Sequence, residues 1–145
     1  MIAIGSDHGG YLLKEEIKKH LKEKGYEFKD FGTDSTASCD YPVYAEKVCR
    51  AVQSGECEKG ILICGTGIGM SMCANKCKGI RAAVCGDHFS AEFTRKHNNA
   101  NVLCLGARVI GAGVAMQLVD IFLTTEYEGG RHEKRVEMMM QLENE

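Results

Sequence analysis

Short apolar runs ending in small or polar residues recur along this chain, each followed by an amphipathic stretch. That rhythm leaves few solutions, because parallel strands cannot be joined by tight turns and need crossover helices. Five such units are legible. Strand one is Ile2 to Gly5, followed by a helix from Gly10 to Lys24 with Leu12, Leu13, Ile17 and Leu21 on one face and Gly25 as its stop. Strand two is Tyr26 to Phe31, and Asp40 is placed to cap a helix from Tyr41 to Ser54. Strand three, Gly60 to Ile63, leads into Cys64 and a helix from Met70 to Lys76. Strand four is Ile80 to Val84, followed by a helix that Asp87 caps and that runs to His97. Strand five is Val102 to Leu105, with a helix from Ile110 to Leu123. The expected fold is α/β: a five-stranded parallel sheet in the order 2-1-3-4-5, with helices on both faces. A sixth helix, Gly130 to Leu142, has no strand before it, and its Met138, Met139 and Met140 suggest packing on a partner subunit.

The 145 residues suit one domain, and a chain of that length buries about two thirds of its unfolded surface. Pro42 is the single proline, and no stretch has linker composition, so no boundary is expected. A formal net charge of -2 with mixed signs leaves no footprint for nucleic acid. Eight cysteines behind a strand-like amino terminus read as reduced cytoplasmic thiols. No apolar run approaches the roughly 20 residues that span a bilayer. Cys73 and Cys77 have helical spacing, but no second pair follows with finger or ribbon spacing, so no metal is expected. Cys49, Cys73, Cys85 and Cys104 fit core positions, whereas Cys39, Cys57 and His20 fit exposed ones.

Chemistry concentrates at Cys64-Gly65-Thr66-Gly67-Ile68-Gly69, where a buried strand turns into a glycine-rich helix start. Amides converging there favour a negative ligand and a thiolate at Cys64. In open parallel sheets ligands bind beyond the carboxyl ends of the strands, where the strand order reverses. Asp7 and His8 follow strand one and Cys64 follows strand three, so both segments should face one crevice. His97, at the carboxyl end of the fourth helix, belongs at the opposite edge of the sheet. If it is catalytic, it should act in the site of a neighbouring subunit. Arg131 and Arg135, one helical turn apart around His132, repel each other unless an anion sits between them.

These residues resemble the type B ribose-5-phosphate isomerases and the related isomerases of galactose 6-phosphate and allose 6-phosphate. The resemblance runs through Gly5 to Gly10, Cys64 to Ser71, Ala74 to Lys76, His97 to Asn101, Leu105 to Arg108, and Arg131 with His132. It implies a Rossmann-like three-layer sandwich and an aldose-ketose isomerase acting on ribose 5-phosphate and ribulose 5-phosphate without a cofactor. It also implies a homodimer with shared sites, with a tetramer left open. By the same resemblance Cys64 is the carbon base, His97 the ring-opening acid, and Thr66 stands with them as catalytic. Gly65, Gly67, Ile68 and Gly69 form the anion hole, Asp7 and Asn98 meet sugar hydroxyls, and His8, Arg108, Arg131 and Arg135 take the phosphate. A six-carbon sugar phosphate remains the alternative substrate. A nucleotide-binding regulatory module is the rival class, but Met70 stands where G-x-G-x-x-G needs its third glycine.

Overall fold

The computed structural model describes residues 1–145. Strands β1 (Ile2–Ser6), β2 (Phe28–Asp30), β3 (Lys59–Cys64), β4 (Ala82–Val84) and β5 (Val102–Gly106) form one parallel sheet in the order β2-β1-β3-β5-β4. The expected fold class is observed, with the last two strands exchanged relative to the expected order. β5 lies beside β3 and β4 takes the edge. Burial accounts for the exchange: every residue of β5 is buried, which suits a strand flanked on both sides, whereas β4 has three residues and leaves Val84 44 % exposed.

Helices α1 (Tyr11–Glu23), α2 (Tyr41–Gln53), α3 (Ile68–Ala74), α4 (His88–Asn98), α5 (Ala112–Thr124) and α6 (Arg131–Gln141) complete the chain, with short 3-10 turns at His8–Gly10 and Leu142–Asn144. Because side chains alternate across a strand, β1, β3 and β5 send Ile4, Ile61, Ile63, Leu103 and Leu105 into one core with α1 and α5. The intervening residues Ala3, Leu62, Cys64 and Cys104 enter the other core, with Val48, Met70 and Ala74 from α2 and α3. The alternation therefore aims Cys64 at the α2 and α3 layer.

Several local expectations change. Asp87 caps α4, accepting the Ser90 N–H at 2.9 Å, but Asp40 makes no side-chain cap on α2. Pro42 in the first turn of α2 already removes one of the donors a cap would satisfy. Strands β2 and β4 are shorter than expected, because Tyr26, Glu27, Ile80 and Arg81 fall in the connections before them. Cys57 is buried and His20 contacts Asp120 at 2.7 Å, so neither is a free surface group.

Leu12 is 69 % exposed, and Lys14 is fully buried on the inner side of α1. Its ammonium meets Asp30 at 2.5 Å, and Lys18 reaches the same carboxylate oxygen at 2.9 Å. Burial pushes the Asp30 carboxyl up, but hydrogen bonds from Lys14, Lys18 and the Gly32 amide outweigh it and hold the group below its ordinary value. Removing one partner of such a pair strands a charge, so Asp30→Ala is expected to cost about 3–5 kcal/mol in urea unfolding. The lowered folded-state value means that this contribution is fully present above the ordinary carboxylate range and is lost as pH falls from there through the depressed folded-state value. A denaturation midpoint unchanged from wild type at neutral pH would show that Lys14 finds another partner.

Candidate active site

The carboxyl ends of β1 and β3 are adjacent in the sheet, which brings the turns that follow them side by side. Cys64 is the last residue of β3 and is only 6 % exposed. The Gly67 N–H donates to its sulfur at 3.1 Å, which fixes the thiol against the start of the glycine turn. Gly67 holds φ at +80°, and a Cβ there would come within 2.9 Å of the Leu105 carbonyl carbon, so both conformation and space require glycine. The amides of Gly65, Thr66, Gly69 and Met70 have no acceptor within the chain. Ile68 spends its N–H on Thr66 Oγ1 at 3.2 Å and so lies outside the donor set expected of the glycine turn. The Thr66 hydroxyl keeps its own proton to donate.

Asp7 is 7 % exposed and accepts the Gly10 N–H at 3.1 Å through Oδ1, which fixes its carboxylate at the end of β1. His8 Nδ1 accepts the Cys39 backbone N–H at 3.2 Å. A backbone amide can only donate, so the imidazole is neutral with its proton on Nε2, a hydrogen-bond donor ready for an anion. A Cβ on Gly65 would lie 3.3 Å from Arg108 Nη1, and one on Gly9 would lie 3.6 Å from Nη2, so the guanidinium covers both glycine turns. The Arg108 amide also donates to the Gly65 carbonyl at 3.0 Å.

Two contributors escaped the sequence reading. Tyr41 lies across the start of α3, where a Cβ on Gly69 would meet its ring at 2.7 Å. The Cys39 amide sets the state of His8. A signal for Tyr41 exists in its position as the first residue of α2, next to the loop that lines the carboxyl edge. Nothing local could have revealed the Cys39 contact, which joins residues 31 apart.

His97 and Asn98 lie elsewhere, in the last turn of α4. The chain passes from there to Asn101, whose carbonyl accepts the Gly60 amide at the opposite end of β3 from Cys64. No hydrogen bond or ion pair joins His97 to the Cys64 turn. His97 instead stacks on His132 of α6, with ring centroids 4.0 Å apart, and its Nε2 lies 3.4 Å from Glu128. Arg131 and Arg135 flank His132 on α6, both exposed. The candidate phosphate residues are thus divided, His8 and Arg108 with the thiol, Arg131 and Arg135 with the imidazole. Ligand atoms of His97, Glu128 and His132 approach within 4.8 Å, but the two rings are only 16° from parallel. Their in-plane lone pairs do not converge on one point, which suits an acid-base set better than a metal centre.

The remaining buried thiols are held protonated. Burial pushes Cys85 up to about 11, and burial with neighbouring thiols raises Cys104 well above the ordinary range. Cys73 is half-buried, less than expected of a core residue, and burial raises it too, with Cys77 and Cys64 nearby.

A doubly wound parallel sheet that sets a thiol, glycine amides, a buried carboxylate and an arginine at its switch point belongs to the α/β proteins whose ligands bind at the strand ends. The chain matches the Ribose/Galactose Isomerase family over residues 2–139 and belongs to it. It is 52 % identical over 142 residues to ribose-5-phosphate isomerase B of Escherichia coli K12, covering 98 % of this chain and 95 % of that one. The ribose-5-phosphate isomerase B structure from Clostridium thermocellum superposes with a TM-score of 0.97 at 54 % identity, covering 99 % of this chain and 97 % of that one. That from Mycoplasma genitalium, with bound ribulose-5-phosphate, gives 0.94 at 42 % identity, covering 99 % and 96 %. No helix of the chain is long and apolar enough to cross a membrane.

Proposed function

We propose that this protein interconverts ribose 5-phosphate and ribulose 5-phosphate through an enediolate. The observation that carries the reading is the Cys64 thiol at the end of β3, touched by one glycine amide and followed by others without acceptors. The Escherichia coli and Clostridium relatives bear the name of this activity at about half identity. Purified protein incubated with ribose, allose and galactose phosphates tests it directly. Selective conversion of ribose 5-phosphate is expected, and preference for a six-carbon phosphate would reassign the substrate within the same chemistry.

Ribose 5-phosphate arrives mostly as a furanose, so ring opening comes first. A neutral imidazole at His97 takes the O1–H proton, the C1–O4 bond breaks, and the proton is returned to O4. Cys64 as thiolate then removes the C2 proton of the open aldehyde. The glycine-turn amides hold the resulting negative oxygen, and Cys64 returns its proton to C1. One further proton must pass from O2 to O1, and the Thr66 hydroxyl at the same turn suits that transfer. Asp7 and Asn98 suit sugar hydroxyls, and the arginines with neutral His8 suit the phosphate. Anchoring that end converts binding energy into placement of C1 and C2.

The two halves of this machinery lie at opposite ends of the sheet, so a complete site needs His97 from a second copy of the chain. Exposed apolar residues support such a partner at the thiol end: Ile68 is 52 %, Met72 65 % and Phe89 68 % exposed, and Val84 touches the Gly67 turn. Met138 and Met139, also exposed, give α6 and the segment 129–145 an apolar face for the same contact. Arg131 and Arg135 travel with His97, so the partner that supplies the imidazole also supplies these arginines. Light scattering is expected to give a dimer or tetramer, and an active monomer would defeat the shared site. Arg131→Ala is expected to raise KM for ribose 5-phosphate about tenfold or more, in line with loss of a charge-assisted contact of roughly 1.5–3 kcal/mol. Steady-state kinetics with unchanged KM would remove Arg131 from the phosphate end.

A further inference from the structure

We propose that Glu128 and His132 are positioning residues for His97: the carboxylate engages one ring nitrogen and the buried imidazole backs the ring face, leaving the other nitrogen to the sugar. This rests on the reading of His97 as the ring-opening group and goes beyond it by naming what makes that imidazole competent.

A side chain in the last turn of a helix is poorly placed for acid-base work unless its rotamer is held. His97 is held on three sides. Phe93, one turn earlier on α4, meets its ring edge-on at 4.9 Å between centroids. His132 covers a ring face at 4.0 Å, and the Glu128 carboxylate stands 3.4 Å from Nε2. The supports are themselves fixed. The Glu128 amide donates to the Lys96 carbonyl at 3.1 Å, tying the segment before α6 to the end of α4. Arg95, buried, donates to the carbonyls of Thr125 at 3.0 Å and Ala100 at 2.6 Å and closes the same corner.

The charges agree with this division of labour. Burial first, then His97 and Arg131, lower the proton affinity of the His132 imidazole, so it stays neutral. A neutral ring stacked on His97 can face the imidazolium that forms when His97 takes the O1–H proton without adding a second positive charge. Glu128 offsets that transient charge on the other side. Lys96 is occupied by Glu92 at 2.6 Å, which leaves Glu128 as the carboxylate facing His97. A carboxylate that orients a histidine and stabilises its charged form is a recurrent acid-base arrangement. Here the shared proton moves between two oxygens of the sugar and ends on O4, so neither Glu128 nor His132 gains or loses one over the cycle.

Ribulose 5-phosphate provides the discriminating substrate. Its five-membered ring would need O5, which carries the phosphate, so the ketose is open and its C1–H exchange with solvent bypasses ring opening. Glu128→Gln and His132→Ala are expected to lower kcat on ribose 5-phosphate about tenfold or more while leaving C1–H exchange of ribulose 5-phosphate within about twofold. His132→Phe, which keeps a ring on the His97 face, should restore part of the loss, whereas a role in folding alone would depress both reactions together. His97→Asn serves as the reference. If it separates the two reactions and neither Glu128→Gln nor His132→Ala does, the positioning role is wrong and the His97 reading stands. If His97→Asn itself fails to separate them, the His97 reading falls, and this one with it. Glu128 is exposed enough for its glutamine variant to fold even where His132→Ala does not.

Discussion

Cys64→Ala is expected to lower turnover of ribose 5-phosphate by about 10²–10⁴-fold, the usual range for loss of a positioned proton-transfer group. Cys64→Ser should be nearly as damaging, because a serine hydroxyl can keep the Gly67 contact but is far too weak a base at neutral pH. Solvent exchange separates loss of the base from loss of binding. In heavy water, wild-type protein should exchange the C1 hydrogen of ribulose 5-phosphate, and Cys64→Ala should not, while still binding a phosphorylated inhibitor. Substitution inside the β3 core to a residue slightly smaller than cysteine leaves a small cavity, so the fold should survive, which circular dichroism checks. Near-normal turnover in Cys64→Ala would reassign the base. The buried carboxylate of Asp7, at the end of the neighbouring strand, would then be the next group to test.

His97→Asn is expected to reduce turnover of ribose 5-phosphate by about 10²-fold or more and to leave C1–H exchange of ribulose 5-phosphate within a fewfold of wild type. The physical basis is that the aldose must break C1–O4 before its C2 proton becomes acidic, whereas the ketose is already open. The two reactions share Cys64 and the glycine turn and differ in the ring step. Equal losses on both substrates would reduce His97 to a structural residue of the α4–α6 corner. Mixing experiments add a second arm. If the site is shared between subunits, combining inactive Cys64→Ala with inactive His97→Asn should regenerate activity in heterodimers carrying one intact site. No recovery after subunit exchange, with mixed dimers verified by mass, would place His97 and Cys64 in the same chain's site.

Much of this is legible in the sequence. The alternation in Ile61, Leu62, Ile63 and Cys64 already dictates which layer the thiol faces, because neighbouring strand residues point to opposite sides. Gly65 to Gly69 marked the turn, and the connectivity alone placed Asp7 beside Cys64 and His97 at the far edge. Less legible were features that depend on two distant segments meeting. Lys14 reads as one more solvated lysine until Asp30, 16 residues on, is found against it. Cys57 read as a loop thiol and proved buried, because its amide returns to Ala51 and the chain folds over it. The neighbours of His97 follow the same rule: Glu128 and His132 belong to a segment that follows β5 and α5.

What the sequence determined by itself is therefore local and periodic: five strands, their crossover helices, the capping of α4 by Asp87, and the thiol at a glycine turn. Each of these rests on backbone preferences and side-chain period within a few residues. Tertiary structure alone decided that β5 pairs with β3 and sends β4 to the edge, that Arg108 lies over Gly65, and that His97 is backed by His132 and Glu128. Those outcomes depend on which surfaces bury most when distant segments compete for the same neighbour, and no local pattern records the result of that competition.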